Sequence, residues 1–145
     1  SWALIRKADS PEALKNFINN ITDVVMSYIE NVRDQKNKSL IEKVKAMVDT
    51  NFADDASLET AAAQVYMSPC YLSVIFKRET GMTFKNYLIH TRIEKSKELL
   101  ANTELKIYEI AEKVGYTDTR YFSDMFQRNT GKTPSQYRDL QKQKM

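Results

Sequence analysis

RETGMTFKNY at Arg78–Tyr87 returns fifty residues later as RNTGKTPSQY at Arg128–Tyr137. The match widens outward from these ten residues. Tyr71–Leu88 reads YLSVIFKRETGMTFKNYL and Tyr121–Arg138 reads YFSDMFQRNTGKTPSQYR, with eight of eighteen positions identical. Further upstream the offset is forty-nine, where Leu58, Ala62 and Val65 answer Ile107, Ala111 and Val114. An insertion is tolerated in a turn, whereas in a helix it rotates every later side chain off its face. The change of offset therefore marks a turn. One recurrence of a unit of about thirty residues gives two structural units, too few for a solenoid.

Three glycines and three prolines in 145 residues leave little room for hairpins, so the expected class is all-α. Ser57 is placed to cap a helix through about Val65. Ser68 caps the next, with Pro69 at the first helical position, where a missing N–H costs nothing. Leu72, Ile75, Phe76 and Glu79 share one stripe, and Gly81 supplies a left-handed stop. Thr83 caps a linker helix over Phe84–Asn102. In the second unit Asp118 caps Thr119–Asn129, with Tyr121, Phe122, Met125 and Phe126 as core face and Gly131 as stop. Thr133, Pro134 and Gln136 form a capping box with proline in the first turn. Eight aromatics fall at core spacings: Tyr71, Phe76, Phe84, Tyr87, Tyr121, Phe122, Phe126 and Tyr137.

Short helix, tight turn, second helix is the helix-turn-helix layout. The pattern predicts two such subdomains, about 57–82 and 107–131, joined by the linker helix 84–102. A C-terminal helix follows at about 134–142. The domain boundary is expected between residues 38 and 39, with 1–38 a helical linker and 39–145 one domain.

Away from the core stripe, the second helix of the first unit presents Cys70, Ser73, Val74 and Lys77. Its counterpart presents Arg120, Ser123, Asp124 and Gln127. Arginine pairs with guanine, glutamine with adenine, a carboxylate accepts from cytosine, and a valine touches the thymine methyl. For one helix such a face reads equally as the solvent side of an amphipathic element; a matched pair favours base reading. A linker of about eighteen residues is roughly 27 Å long, near the roughly 34 Å turn of B-DNA. One chain would then hold both halves of a grip on one duplex. Charge agrees in sign. Residues 1–56 carry 8 Lys/Arg against 9 Asp/Glu, and residues 57–145 carry 14 against 10. The basic half suits a polyanion.

The stretch SPEALKNFINNITDVVMSYIENVRDQK, from Ser10, predicts a long helix to about Gln35. Leu14, Phe17, Ile21, Val24 and Tyr28 form a seam at spacings of three and four, widened by Ile18, Val25, Ile29 and Val32. Two readings stand: a face packed on its own domain, or a homodimerising or signal-transmitting helix. The first residues, SWALIRKADSPEAL, lack the basic-then-apolar order of an export signal and read as an excised piece of a longer chain. No apolar run is long enough to span a membrane. Cys70 is the single cysteine, which fits a reducing cytoplasm, and it reads as a small apolar filler.

Catalytic chemistry has little footing, and no enzyme activity, cofactor or metal is expected. His90 is the sole histidine, set mid-helix. Cys70 with His90 is too few ligands for zinc. Glycines at 81, 115 and 131 lie too far apart for a phosphate loop.

From about Leu40 to Arg138 the sequence resembles the DNA-binding domain of the AraC/XylS transcriptional regulators. The resemblance is carried by SPCYLSVIFKRETGMTFKNYL and IYEIAEKVGYTDTRYFSDMFQRNTGKTPSQYR. It implies sequence-specific binding at promoters, with Cys70, Ser73, Val74, Lys77, Arg120, Ser123 and Gln127 toward the groove, and recruitment of RNA polymerase. Phosphate contacts are implied at Thr83–Lys85 and Thr133–Gln136, including Ser135, and at Ser68, Arg78, Arg128 and Lys132. Three positions depart from the family pattern. Tyr66 replaces the glycine that Gly115 represents in the second copy, which predicts a distorted first turn. Ser96 replaces alanine and is expected to trim packing. Asp124 is acidic where the family is not, and Arg120, one turn earlier, is expected to hold it. The N-terminal stretch with SLIEKVKAMVDTNF is similar to the segment joining receiver and DNA-binding domains in YesN-like response regulators. That likeness implies a parent controlled by phosphorylation, or a membrane-anchored sensor. The competing class is a helical protein-interaction module.

Overall fold

The computed structural model describes residues 10–144, with seven helices and no strand among them. These are α1 (Pro11–Asn51), α2 (Leu58–Gln64), α3 (Pro69–Thr80), α4 (Phe84–Asn102), α5 (Ile107–Lys113), α6 (Thr119–Thr130) and α7 (Pro134–Gln143). The expected all-α class with two helix-turn-helix pairs, a linker helix and a long N-terminal helix is what the chain adopts. The first nine residues, read above for export signals, lie outside the described residues.

Caps and stops sit where the side-chain chemistry puts them. Ser68 Oγ accepts the Tyr71 N–H at 3.2 Å, Thr83 Oγ1 accepts that of Asn86 at 3.1 Å, and Asp118 Oδ1 accepts that of Arg120 at 2.9 Å. The Thr133–Gln136 box closes both ways, at 3.2 Å and 3.0 Å. Each such cap stabilises its helix by about 1 kcal/mol. Gly81 and Gly131 end α3 and α6 in the left-handed region at φ 79° and 81°.

The end of α1 departs from expectation. No glycine or proline interrupts DQKNKS, so the helix passes Gln35 and runs to Asn51. The chain divides into two compact units, one up to Ser39 and one from Leu40. In the first unit the seam is not a packed face. Phe17 is half-buried, while exposure of the other eight seam residues runs from 39% at Leu14 to 70% at Val24 and Tyr28.

The second unit holds two cores. Ile41, Val44 and Val48 of α1 join Ala61, Ala62, Leu72, Ile75, Phe76 and Phe84 in the first. Ile93 and Leu100 of α4 join Ile110, Ala111, Val114, Tyr116, Phe122 and Phe126 in the second. Each helix-turn-helix pair therefore rests on a preceding helix, and the repeat is longer than the thirty residues first counted. Its extra segment is written in the sequence as IEKVK at Ile41 and IEKSK at Ile93, a signal masked by the longer loop after α1. Buried Ile41, Val44 and Val48 match buried Ile93, Ser96 and Leu100. Ser96 tolerates its place in the core because its Oγ donates to the Ile93 carbonyl at 2.6 Å. The linker α4 is closed at its C-terminal end by Arg138, whose Nε donates to the Leu100 carbonyl at 3.2 Å.

Candidate nucleic-acid interface

Both faces expected to read bases are open to solvent. On α3, Cys70, Val74 and Lys77 are exposed and Ser73 is half-buried, above a floor of Leu72, Ile75 and Phe76 at no more than 1% exposure. On α6, Arg120, Asp124 and Gln127 are exposed and Ser123 is half-buried, above fully buried Phe122 and Phe126. The amphipathic period accounts for both: core residues recur every three or four positions and leave one polar ridge per helix. Cys70 is exposed on this ridge, opposite Leu72 and Phe76, where its position away from the core stripe puts it.

The linker joins the two ridges along one flank. Lys85 and Leu88 of α4 line two grooves at once. Ser73, Ser57 and Leu58 border one groove, and Thr117, Asp118 and Tyr121 border the other. The α3 ridge and the start of α6 therefore flank the same stretch of α4. At 19 residues, α4 is about 28 Å long.

The residues assigned to phosphate are all at the surface or half-buried, but they do not form one cluster. Thr83 and Lys85 open α4; Lys132, Thr133, Ser135 and Gln136 surround the start of α7. At these starts the Asn86 and Gln136 amides are taken by the Thr83 and Thr133 caps. Ser68 begins α3 and Arg78 lies near its end, about 15 Å apart along the axis. Arg78 faces Glu79, with Nε to Oε1 at 3.6 Å. Arg128 and Lys132 have no ion-pair partner among the described residues. In the capping box the Gln136 carbonyl oxygen is engaged, and its amide NH₂ has no hydrogen-bond partner among the described residues. His90 is exposed, and no cluster of metal-binding side chains occurs among the described residues.

Three expectations need correction. Arg120 does not hold Asp124: no ion pair forms between them among the described residues. A cation four residues before an anion is the weaker order on a helix. Tyr71 and Tyr121 are not core; both are about half exposed, at 47% and 49%, because they sit at the edge of the apolar stripe with the hydroxyl toward water. The first turn is not distorted. Met67 N–H donates to the Ala62 carbonyl at 2.9 Å and Tyr66 N–H to that of Ala63 at 3.3 Å. Tyr116 and Gly115 repeat this with Ala111 at 2.8 Å and Glu112 at 3.1 Å, the same Schellman closure. Tyr66 takes the left-handed conformation itself, at φ 57°.

Sequence reading missed the contacts around the second turn. Arg92 of α4 donates from Nε to the Phe52 carbonyl at 2.7 Å, and its guanidinium carbon lies 5.1 Å from the centroid of the Tyr116 ring. Phe52 packs against the second core. Burial pushes the Tyr116 phenol above its ordinary pKa, against the lowering effect of the Arg92 charge. No local pattern announces a partner forty residues away.

The helix-turn-helix domain family matches residues 61–140, more than half of the chain, and the protein belongs to this family, of AraC/XylS type. Among curated relatives, the uncharacterized HTH-type transcriptional regulator YijO of Escherichia coli is 33% identical over 123 residues, covering 85% of this chain and 43% of that protein. The chain spans less than half the length of the curated relatives it matches. Among solved structures, the C-terminal domain of AraT, a response regulator from Geobacillus stearothermophilus, is 40% identical with a TM-score of 0.68, over 70% of this chain and 84% of that one. The DNA-binding domain of AdpA, solved in complex with a target DNA, is 26% identical with a TM-score of 0.66, over 69% and 90%.

Proposed function

We propose that residues 39–145 form a sequence-specific reader of duplex DNA, the output domain of a larger transcriptional activator. The observation that carries this reading is the pair of solvent-open ridges on equivalent helices, both flanking one linker of about 28 Å. Cys70, Ser73, Val74 and Lys77 would enter one major-groove segment, and Arg120, Ser123, Asp124 and Gln127 the next. The helix starts at Thr83–Lys85 and Thr133–Gln136, with Ser68, Arg78, Arg128 and Lys132, would grip phosphates. The two ridges differ in chemistry, so the site read is asymmetric. Such a protein works in the cytoplasm beside the chromosome and recruits RNA polymerase. Likeness to the AraT domain, from a protein described as a response regulator, supports control by a phosphorylated partner domain.

Affinity for a selected site should fall by orders of magnitude between about 50 and 200 mM salt if several phosphates are engaged. Arg120→Ala should weaken the selected site more than random duplex; equal loss on both would reassign Arg120 to phosphate. Asp124→Ala should change preference at one base pair, and unchanged preference would remove it from the reading face. Salt-independent or absent duplex binding would favour the interaction-module reading.

A specific observation supports a second role for residues up to Ser39. At about 100° per residue, the exposed seam side chains fall on an arc of about 140° on α1. A second copy of the same helix is the occupant this stripe suits, giving a homodimer; sedimentation of the chain with Ile21→Glu and Val25→Glu should then yield monomers.

A further inference from the structure

The modules are joined by more than the linker rod. Gly115, in the turn of the second module, lies so close to Ala53 that an added Cβ would sit 3.1 Å from its Cα and 3.0 Å from the Arg92 guanidinium carbon. Ala53 follows Phe52, and both follow the last turn of α1, which builds the first core. Phe52 itself packs on the second core. One side chain touches every part of this junction. Arg92 rises from α4, binds the Phe52 carbonyl, and lays its guanidinium over Tyr116. Tyr116 is buried and meets the Tyr121 and Phe122 rings at 5.8 Å and 5.7 Å, in the first turn of the α6 reading helix.

We propose that Arg92 is a positioning residue that fixes the separation of the two reading helices, by tying the segment after α1 to the turn that launches α6. The guanidinium suits this task. Its planar fork donates in-plane to a carbonyl while its face lies on a ring, which a lysine ammonium cannot do at once. Removing it leaves the Phe52 carbonyl and the Tyr116 face without their shared partner, and beyond the α4 rod α6 is then held to the first module only by the packing of Phe52 on the second core and of Ala53 against Gly115. The proposal rests on the DNA reading above for its consequence, but not for its geometry.

Two measurements separate these. In the full chain without DNA, spin labels on native Cys70 and on a cysteine placed at exposed Asn129 report the distance between α3 and α6. The wild type should give one narrow distribution, Arg92→Ala a broad one, and Arg92→Lys an intermediate one. An unchanged distribution in Arg92→Ala overturns the proposal. If Arg92→Ala fails to fold, as judged by circular dichroism, Arg92→Lys decides alone: a distribution as narrow as wild type refutes the clamp. On DNA, inserting one or two base pairs between the halves of a selected site should cost wild type roughly tenfold more affinity than it costs Arg92→Ala. Equal penalties for both proteins refute the positioning role. A narrow wild-type distribution that broadens in Arg92→Ala, in a chain that binds no duplex, would instead sink the DNA reading and leave the clamp standing.

Discussion

The two interhelical turns follow one hydrogen-bonded path and differ in what surrounds it. Tyr66 sits at φ 57° with its side chain 97% exposed. Gly115 sits at φ 102° against Ala53 and Arg92, where a Cβ would lie 3.0–3.1 Å from their atoms and press them aside. Helix ends must satisfy their last carbonyls, and that requirement sets the backbone of both turns alike. What packs outside decides which residue can occupy the left-handed position. The first turn faces water and accepts a tyrosine at a conformational cost of about 1–2 kcal/mol. The second is a joint between modules and favours glycine, since a side chain there meets both left-handed strain and close neighbours.

Six substitutions break or sharpen this contrast. The largest effects belong to the equivalent core residues, Phe76→Ala and Phe126→Ala, each expected to cost about 3–5 kcal/mol in chemical denaturation. Equal losses would show that the modules are alike inside, whatever their turns. Gly115→Ala should cost about 2–4 kcal/mol, combining left-handed strain with overpacking. Gly131→Ala, at φ 81° with nothing within 4 Å of the new Cβ, should cost only about 1 kcal/mol. If the two glycine variants lose the same amount, the second turn is no joint. Tyr66→Gly should stabilise by about 0.5–1 kcal/mol, since relief of strain exceeds the added chain entropy; a destabilised variant would mean the exposed ring has a role in this chain.

The smallest effect is at Tyr116, whose hydroxyl is buried with no hydrogen-bond partner. Tyr116→Phe should leave stability at neutral pH within about 1 kcal/mol or raise it. Burial raises the folded pKa of this phenol. Its contribution is therefore fully present below the unfolded value of about 10 and is lost as pH climbs through the raised folded value. Tyr116→Phe should flatten that alkaline loss in a denaturation series run upward in pH.

Most of the fold was legible because its signals are local. Ser68, Thr83, Asp118 and Thr133 act on backbone amides two or three residues ahead, and Gly81 and Gly131 act on their own φ, so a short window contains cause and effect. The two solvent-open ridges followed from the same periodicity that buries Phe76 and Phe126. Three features needed the folded chain. The passage of α1 beyond Gln35 has no start or stop to announce it. The half-exposure of Tyr71 and Tyr121 depends on a stripe edge that periodicity blurs for a side chain with one apolar and one polar end. Arg92 meets Phe52 and Tyr116 only after two modules have formed, and a lone arginine in a charged helix looks like any solvated one.

Selection of binding sites from a random duplex library, with the intact 145-residue chain, tests the two-ridge grip most directly. The expected outcome is an enriched site with two unlike blocks of specified bases, centred about 10 base pairs apart, one helical turn. Enrichment of a single block, of two blocks at variable spacing, or of no sequence at all would contradict it.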